Sequence, residues 1–177
     1  MPKKEKPLTQ ALLKQYCDYD SRGYLIWKIN RGPTQIGDRL GYNSYGLDGY
    51  RRAVFFYKRY KLSRLIFLWH YGYFPIHVDH IDGCVSNDKI ENLRAATPSQ
   101  NQGNTKLIRS SNTSGYRGVS FSKERNKWEA KIQFNNKCIH LGRFITDREA
   151  AIAYDAAAKE LFKEFAKLNF QKSKNEE

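Results

Sequence analysis

Asp79 and His80 are adjacent and are followed by Asn92 and Asn101 within one polar stretch, VDHIDGCVSNDKIENLRAATPSQN, from Val78 to Asn101. Hydrolysis of a phosphodiester needs a base for the attacking water and a cation to meet the charge that develops on the leaving oxygen. A histidine titrates near neutrality, so His80 suits the base. Carboxylate and amide oxygens suit a hard ion such as Mg²⁺, which keeps several of its waters, and Asp79 and Asn101 supply such oxygens. Singly, each residue has an ordinary structural use as a packed histidine, a turn residue or a cap. The ordered set is what points to nuclease chemistry.

Local signals place this set on defined elements. Ile76 to Ile81 alternates as a strand, and Asp82-Gly83 turns the chain after it. Thr97-Pro98-Ser99-Gln100 is a capping box with proline at the first helical position, so a helix is predicted to start at Thr97 with Asn101 in its opening turn. Neighbouring strand residues point to opposite faces. Asp79 and His80 can therefore serve one phosphate only where the strand bends or ends, and the imidazole must be reachable from solvent.

The rest of the chain is read around that stretch. A length of 177 residues allows one ordinary domain or two small ones. With 31 Lys and Arg against 18 Asp and Glu, the formal charge of +13 favours a polyanionic partner. Aromatic residues make up 14% of the chain, 12 of them Tyr, so rings and cations interleave. Cys17, Cys84 and Cys138 lie far apart with no CxxC pair, which signals neither a zinc ribbon nor a disulfide framework. No apolar run is long enough to span a bilayer, and no hydrophobic core follows the lysine-rich start from Met1 to Pro7. A cytoplasmic setting, in a bacterial or phage-infected cell, is the expectation.

Along the N-terminal part, Leu8 to about Asp20 carries a weak helical pattern and Gly23 to Lys28 a short strand. Arg31 to Gly49 reads as loops around brief strands, and Gly49 to Lys61 as two strands bracketing a turn near Tyr57 and Lys58. Ser63 is expected to cap a helix whose apolar side is Leu65, Ile66, Leu68 and Trp69. Lys28, Arg31, Arg51, Arg52, Lys58, Arg59, Lys61 and Arg64 form either a collective phosphate track or a solvated face.

Beyond a polar stretch from Thr105 to Ser114, three β-like runs follow: Tyr116 to Phe121, Lys127 to Phe134 and Cys138 to Arg143. Asn135-Asn136 marks a turn, and Thr146 with Glu149 makes a second capping box. Ala150, Ala153, Tyr154, Ala157 and Leu161 are expected on one helix face, small enough to sit close against a three-stranded sheet.

Asp79-His80, IENLR from Ile90 to Arg94 and SQNQ from Ser99 to Gln102 together resemble the ββα-metal motif of HNH endonucleases, in the H-N-N variant of phage and homing enzymes. The resemblance implies His80 as general base, Asp79 and Asn101 as ligands of one divalent ion, Mg²⁺ or Mn²⁺, and Asn92 as the residue that orients the loop and the base. YRGV from Tyr116, KWEAKI from Lys127, HLGRF from His140, EAAIAYDAAA from Glu149 and LNF from Leu168 resemble the AP2 DNA-binding domain. That likeness implies a sheet lying in the major groove, with Arg117, Lys131 and His140 as contacts. Lys123, Arg125 and Lys127 of the first turn, with Arg143, are expected on phosphates, and Trp128 as contact or core. Ser120, Ser122, Gln133 and Cys138 stand where plant relatives commonly carry arginine, so the plant target preference does not transfer.

The resulting expectation is an α+β protein. It has an HNH-type nuclease domain over 1–104 with its ββα-metal motif at about 76–104, a linker over 105–113, an AP2-like sheet and helix over 114–170, and a polar tail over 171–177. The expected function is metal-dependent cleavage of double-stranded DNA, of phage or mobile-element homing type, with the oligomeric state not set by the sequence and a monomer slightly favoured. A non-catalytic DNA-binding regulator on a nuclease-like scaffold is the alternative.

Overall fold

The first helix, α1 (Gln10–Tyr16), starts where Thr9 accepts a hydrogen bond from the Leu12 N–H at 3.2 Å. It stops earlier than its apolar pattern suggests. Cys17–Asp20 turns directly into a strand, β1, with Cys17 buried and Asp18 exposed, and pairs antiparallel with β2 (Tyr24–Trp27). Alternation wins over helix there because Cys17 and Leu25 both reach the core. Structure is described for residues 7–41, 44–104 and 112–170 of this computed structural model.

A second hairpin joins β3 (Arg52–Phe55) to β4 (Lys58–Lys61), with Phe56 and Tyr57 at its tip in left-handed backbone, φ 45° and 64°. Such mirror-image turns ordinarily take Asn-Gly. Here packing offsets the strain, since Phe56 sits edge-on to Tyr16 at 5.1 Å and to Phe55 at 4.8 Å. The chain then enters α2 (Leu62–Tyr71) directly from β4. Lys61 is the N-cap without a side-chain bond, and Ser63, expected as the cap, is buried inside the first turn. Gly72, at φ 80°, closes the helix by donating to the Leu68 carbonyl. Leu13, Leu25, Leu62, Leu65 and Ile66 are completely buried around α2, and each such side chain stabilises the fold by about 1.5–3 kcal/mol. Against this core stands a third antiparallel pair, β5 (His77–His80) with β6 (Leu93–Ala96), the latter not foreseen from sequence.

Among the described residues, those up to Ala96 make up one compact unit and those from Thr97 onward form another. The second begins with α3 (Pro98–Gly103), where the predicted capping box is formed in both directions, Gln100 N–H to Thr97 Oγ1 at 3.2 Å and Thr97 N–H to Gln100 Oε1 at 2.8 Å. The strands β7 (Val119–Ser122), β8 (Lys127–Phe134) and β9 (Lys137–Phe144) make an antiparallel sheet with β8 at its centre. Asn135 and Asn136 turn β8 into β9 with φ 49° and 62°. The helix α4 (Asp147–Phe162) crosses this sheet, started by the Thr146–Glu149 capping box.

Its buried face is Ala150, Ala151, Tyr154, Ala158 and Phe162. Ala150 and Tyr154 were expected there. Ala153, Ala157 and Leu161 lie only partly covered instead, because the inward stripe runs one position later along the helix. The predicted closeness of helix and sheet is visible at Gly118, φ +71°, where a Cβ would fall 2.2 Å from the Tyr154 ring. The tail expected over 171–177 lies outside the described residues, as do residues 105–111 of the expected linker. Among the described residues, no helix is long and apolar enough to cross a membrane.

Candidate active site and basic sheet

The strand β5 ends at His80, whose carbonyl accepts from the Gly83 N–H at 2.7 Å as the chain turns away. Cross-strand register sets Asp79 opposite Arg94, and Arg94 Nε donates to Asp79 Oδ2 at 2.8 Å. His80 takes a different partner. Its Nε2 lies 2.8 Å from Asp88 Oδ1, in a contact buried on both sides. The two adjacent side chains thus turn to different neighbours, as strand alternation requires.

Asp88 is 1% exposed. Its other oxygen, Oδ2, meets Arg51 Nε at 3.1 Å, an ionic contact whose angle falls short of a directed hydrogen bond. Arg51 comes from the residue just before β3, is itself buried, donates through Nη2 to the Ser86 carbonyl, and stacks its guanidinium on Tyr24 at 4.5 Å. Arg51 is therefore not part of an exposed phosphate track: it is the internal counter-ion of Asp88. Removing one partner of such a buried pair costs about 3–5 kcal/mol. The backbone carrying Asp88 is also held from outside. Tyr19 Oη accepts from the Ile90 N–H at 2.9 Å, and Gly23 packs so tightly that a Cβ there would lie 2.7 Å from Lys89 N.

Asn92 closes the same loop. Its Oδ1 accepts from the Asp82 N–H at 3.0 Å, while Nδ2 donates to Asp82 Oδ1 at 2.9 Å and to the Asn87 carbonyl at 2.8 Å. Beside His80 stands the Tyr50 ring, 5.7 Å between centroids, with Lys61 Nζ 3.2 Å from the Tyr50 ring centre. Burial pushes the Tyr50 hydroxyl up, helped by the negative Asp48, Asp79 and Asp88. Burial likewise pulls the Lys61 ammonium down, against the attraction of Asp48.

Asn101 lies in the opening turn of α3, where its N–H donates to the Thr97 carbonyl at 3.0 Å, so the helix start predicted from sequence holds. Among the described residues, no three of His, Cys, Asp and Glu gather as a metal-binding group. An ion that keeps most of its waters needs only a carboxylate and one further oxygen from the protein, and Asp79 and Asn101 have that donor chemistry. Asp79 and His80 are only 4% and 3% exposed, against the open imidazole expected for water activation. The three cysteines form no disulfide, and burial pushes the Cys17 thiol up to about 12.

In the second unit the face of the sheet away from α4 carries a charge cluster. Strand alternation keeps Glu129, Lys131 and Gln133 on that face, and a register shift between Ala130 and Lys131 brings their β9 partners Arg143, His140 and Cys138 to it as well. At its centre is Glu129, whose carboxylate lies 2.7 Å from Lys131 Nζ, 3.1 Å from Arg143 Nε, 3.8 Å from Arg125 and 3.9 Å from His140. Hydrogen bonds from Lys131 and Arg143 hold its pKa down at about 2. Lys123 and Lys127 are exposed nearby in the chain. Arg117 and Trp128 are not brought to this cluster. The Arg117 guanidinium donates to the Gly103 carbonyl at 3.3 Å and bonds Tyr154, while its N–H is taken by Asn169 at 2.7 Å. Trp128 packs against the Val119–Ala130–Ala150–Ala151 cluster, edge-on to Phe121 at 5.1 Å.

Sequence reasoning did not single out Asp88, Arg51 or Glu129. Asp88 sits four residues before Asn92 in a polar run where a buried carboxylate leaves no pattern, and its link to Arg51 is not local. Glu129 was legible as part of KWEAKI, where a lone acid flanked by Lys127 and Lys131 is a usable signal.

The HNH endonuclease family model matches residues 60–102, and the AP2 domain model matches residues 114–164. Protein 3.8 of Escherichia phage T7 is 42% identical over 78 residues, 42% of this chain and 64% of that protein. An uncharacterized HNH endonuclease of Acanthamoeba polyphaga mimivirus is 39% identical over 94 residues, 53% of this chain and 47% of the viral protein. An AP2-like ethylene-responsive transcription factor of Arabidopsis thaliana is 51% identical over 49 residues, 27% of this chain and 14% of the plant protein. The chain thus spans less than two thirds of the length of these relatives. It is similar to HNH endonucleases over residues 60–102 and to AP2 domains over residues 114–164.

Proposed function

We propose that the chain is a metal-dependent DNA endonuclease of the phage or homing type, with an H-N-N ββα-metal site. In this reading a nuclease domain over 1–104 is joined through a linker over 105–113 to an AP2-like docking module over 114–170. The observation that carries it is the end of β5: Asp79 and His80 close a strand inside the HNH segment, and Asn92 clamps the loop that follows. His80 takes a proton from water, the water oxygen bonds to phosphorus, and the bond from phosphorus to the 3′ oxygen breaks. Asp79 and Asn101, the latter assigned from the order of the motif, would hold one divalent ion such as Mg²⁺, which when bound neutralises charge on the leaving oxygen. Asn92 keeps the loop ends together, and the cations around Glu129 bind backbone phosphates of double-stranded DNA.

A second reading, a DNA-binding regulator on a nuclease scaffold, is favoured by the near-complete burial of the His80 ring. Supercoiled plasmid incubated with and without Mg²⁺ separates the two. Nicked or linear product that needs Mg²⁺, lost in His80→Ala while DNA binding persists, supports the nuclease, and Asp79→Ala weakens the metal-dependent rate. Cleavage by His80→Ala at near the wild-type rate removes His80 as the base.

A further inference from the structure

The buried chain from Arg51 through Asp88 to His80 has no role in the reaction as written above, and it links groups from separate parts of the first unit. We propose that Asp88, held by Arg51, is a positioning residue that decides which imidazole nitrogen of His80 carries the proton. The inference rests on the reading of His80 as the base. A carboxylate can only accept, so Asp88 Oδ1 at 2.8 Å requires the proton on Nε2 and leaves the lone pair on Nδ1. A guanidinium can only donate, so Arg51, 3.1 Å from Oδ2, faces that oxygen as a donor and leaves Oδ1 to His80. Asp88 and Arg51 are 1% and 7% exposed, so water does not compete for these contacts. The stacking of Arg51 on Tyr24 and its bond to Ser86 fix the direction from which it acts.

This geometry makes the substitution Asp88→Asn informative. The asparagine has one oxygen and one amide nitrogen, and Arg51 selects the oxygen. The NH₂ group then faces His80 Nε2, which must become the acceptor, and the proton moves to Nδ1. The shape of the site is preserved while the base is presented with its wrong nitrogen. In a serine protease, the equivalent exchange of a histidine-orienting aspartate lowers turnover about 10⁴-fold with the geometry intact. For this protein the expected loss in kcat is roughly 10²-fold or more, with KM for DNA unchanged.

The test uses the full chain in three forms, Asp88→Asn, Arg51→Met and the double variant, each checked for fold by circular dichroism and thermal melting. With Arg51 gone, the amide introduced by Asp88→Asn is free to turn its oxygen to Nε2. The double variant is therefore expected to recover at least tenfold in kcat over Asp88→Asn. Long-range ¹⁵N correlation spectra of the imidazole, with the His80 signals assigned by their loss in His80→Ala, report the tautomer directly. Wild type is expected to show the proton on Nε2, Asp88→Asn on Nδ1, and the double variant on Nε2 again. An unchanged tautomer in folded Asp88→Asn, or a double variant no faster than the single, overturns the proposal. Failure of the underlying reading looks different, because His80→Ala itself then cleaves DNA while the tautomer still follows Asp88.

Discussion

Replacing Glu129 by Gln removes the central negative charge from a cluster that also holds Lys131, Arg143, Arg125 and His140. In the folded protein that carboxylate takes part of the field that these cations would direct at DNA, and its low pKa keeps it charged at any working pH. The amide retains the size and one acceptor of the carboxylate, so the strand register is expected to survive. If the freed charge neutralises one further phosphate, the slope of log affinity against log salt steepens by about 0.9. Between roughly 50 and 200 mM salt, the variant then loses about 3.5-fold more affinity than wild type, and it binds more tightly at the low end. Fluorescence anisotropy of a labelled duplex, titrated at several salt concentrations in EDTA to prevent cleavage, measures both quantities. An unchanged or shallower slope in a folded variant refutes the assignment of this sheet face to DNA phosphates.

The same carboxylate gives a pH prediction. Its pKa falls from 4.5 to about 2 on folding, so its stabilising contribution is complete above about pH 4.5 and is lost as pH falls toward 2; thermal melts across that window should show the loss in wild type and its absence in Glu129→Gln. Gly118→Ala combines left-handed backbone with a Cβ 2.2 Å from the Tyr154 ring, and a destabilisation of about 2–5 kcal/mol is expected in urea titrations. A loss below about 0.5 kcal/mol contradicts the close seating of α4 on the sheet. Leu65→Ala, at a completely buried position of α2, is expected to cost about 2–5 kcal/mol by the same measurement.

What could be read from sequence divides along a physical line. Short-range rules worked: both capping boxes form, Asn135-Asn136 makes its turn, and β8 runs from Lys127 to Phe134 as its composition implies. Rules that depend on distant packing did not. Ser63 looks like a cap until α2 is seen to leave β4 with no loop between them. The left-handed tip at Phe56 and Tyr57 has none of the residues that such turns ordinarily use, and only its contacts with Tyr16 and Phe55 explain it. At the candidate site the order of Asp79, His80, Asn92 and Asn101 is visible in the sequence. The buried contacts of Arg51 and Asp88 beside them are not, because a buried Arg51 reads in sequence like any surface arginine. Arg117 has a partner that its YRGV motif does not announce, since its guanidinium donates to the Gly103 carbonyl.

Gly23 gives the tip of the first hairpin an unusual status. Ser21 and Arg22 are exposed, and exposed turns normally absorb inserted residues with little effect. This one touches the backbone of Asp88 and Lys89 on its inner side, so its length works as a gauge for the loop behind it. A scan of insertions along the chain should find this outward-facing corner as intolerant as the interior. Homologues that vary in length are expected to place their variation elsewhere.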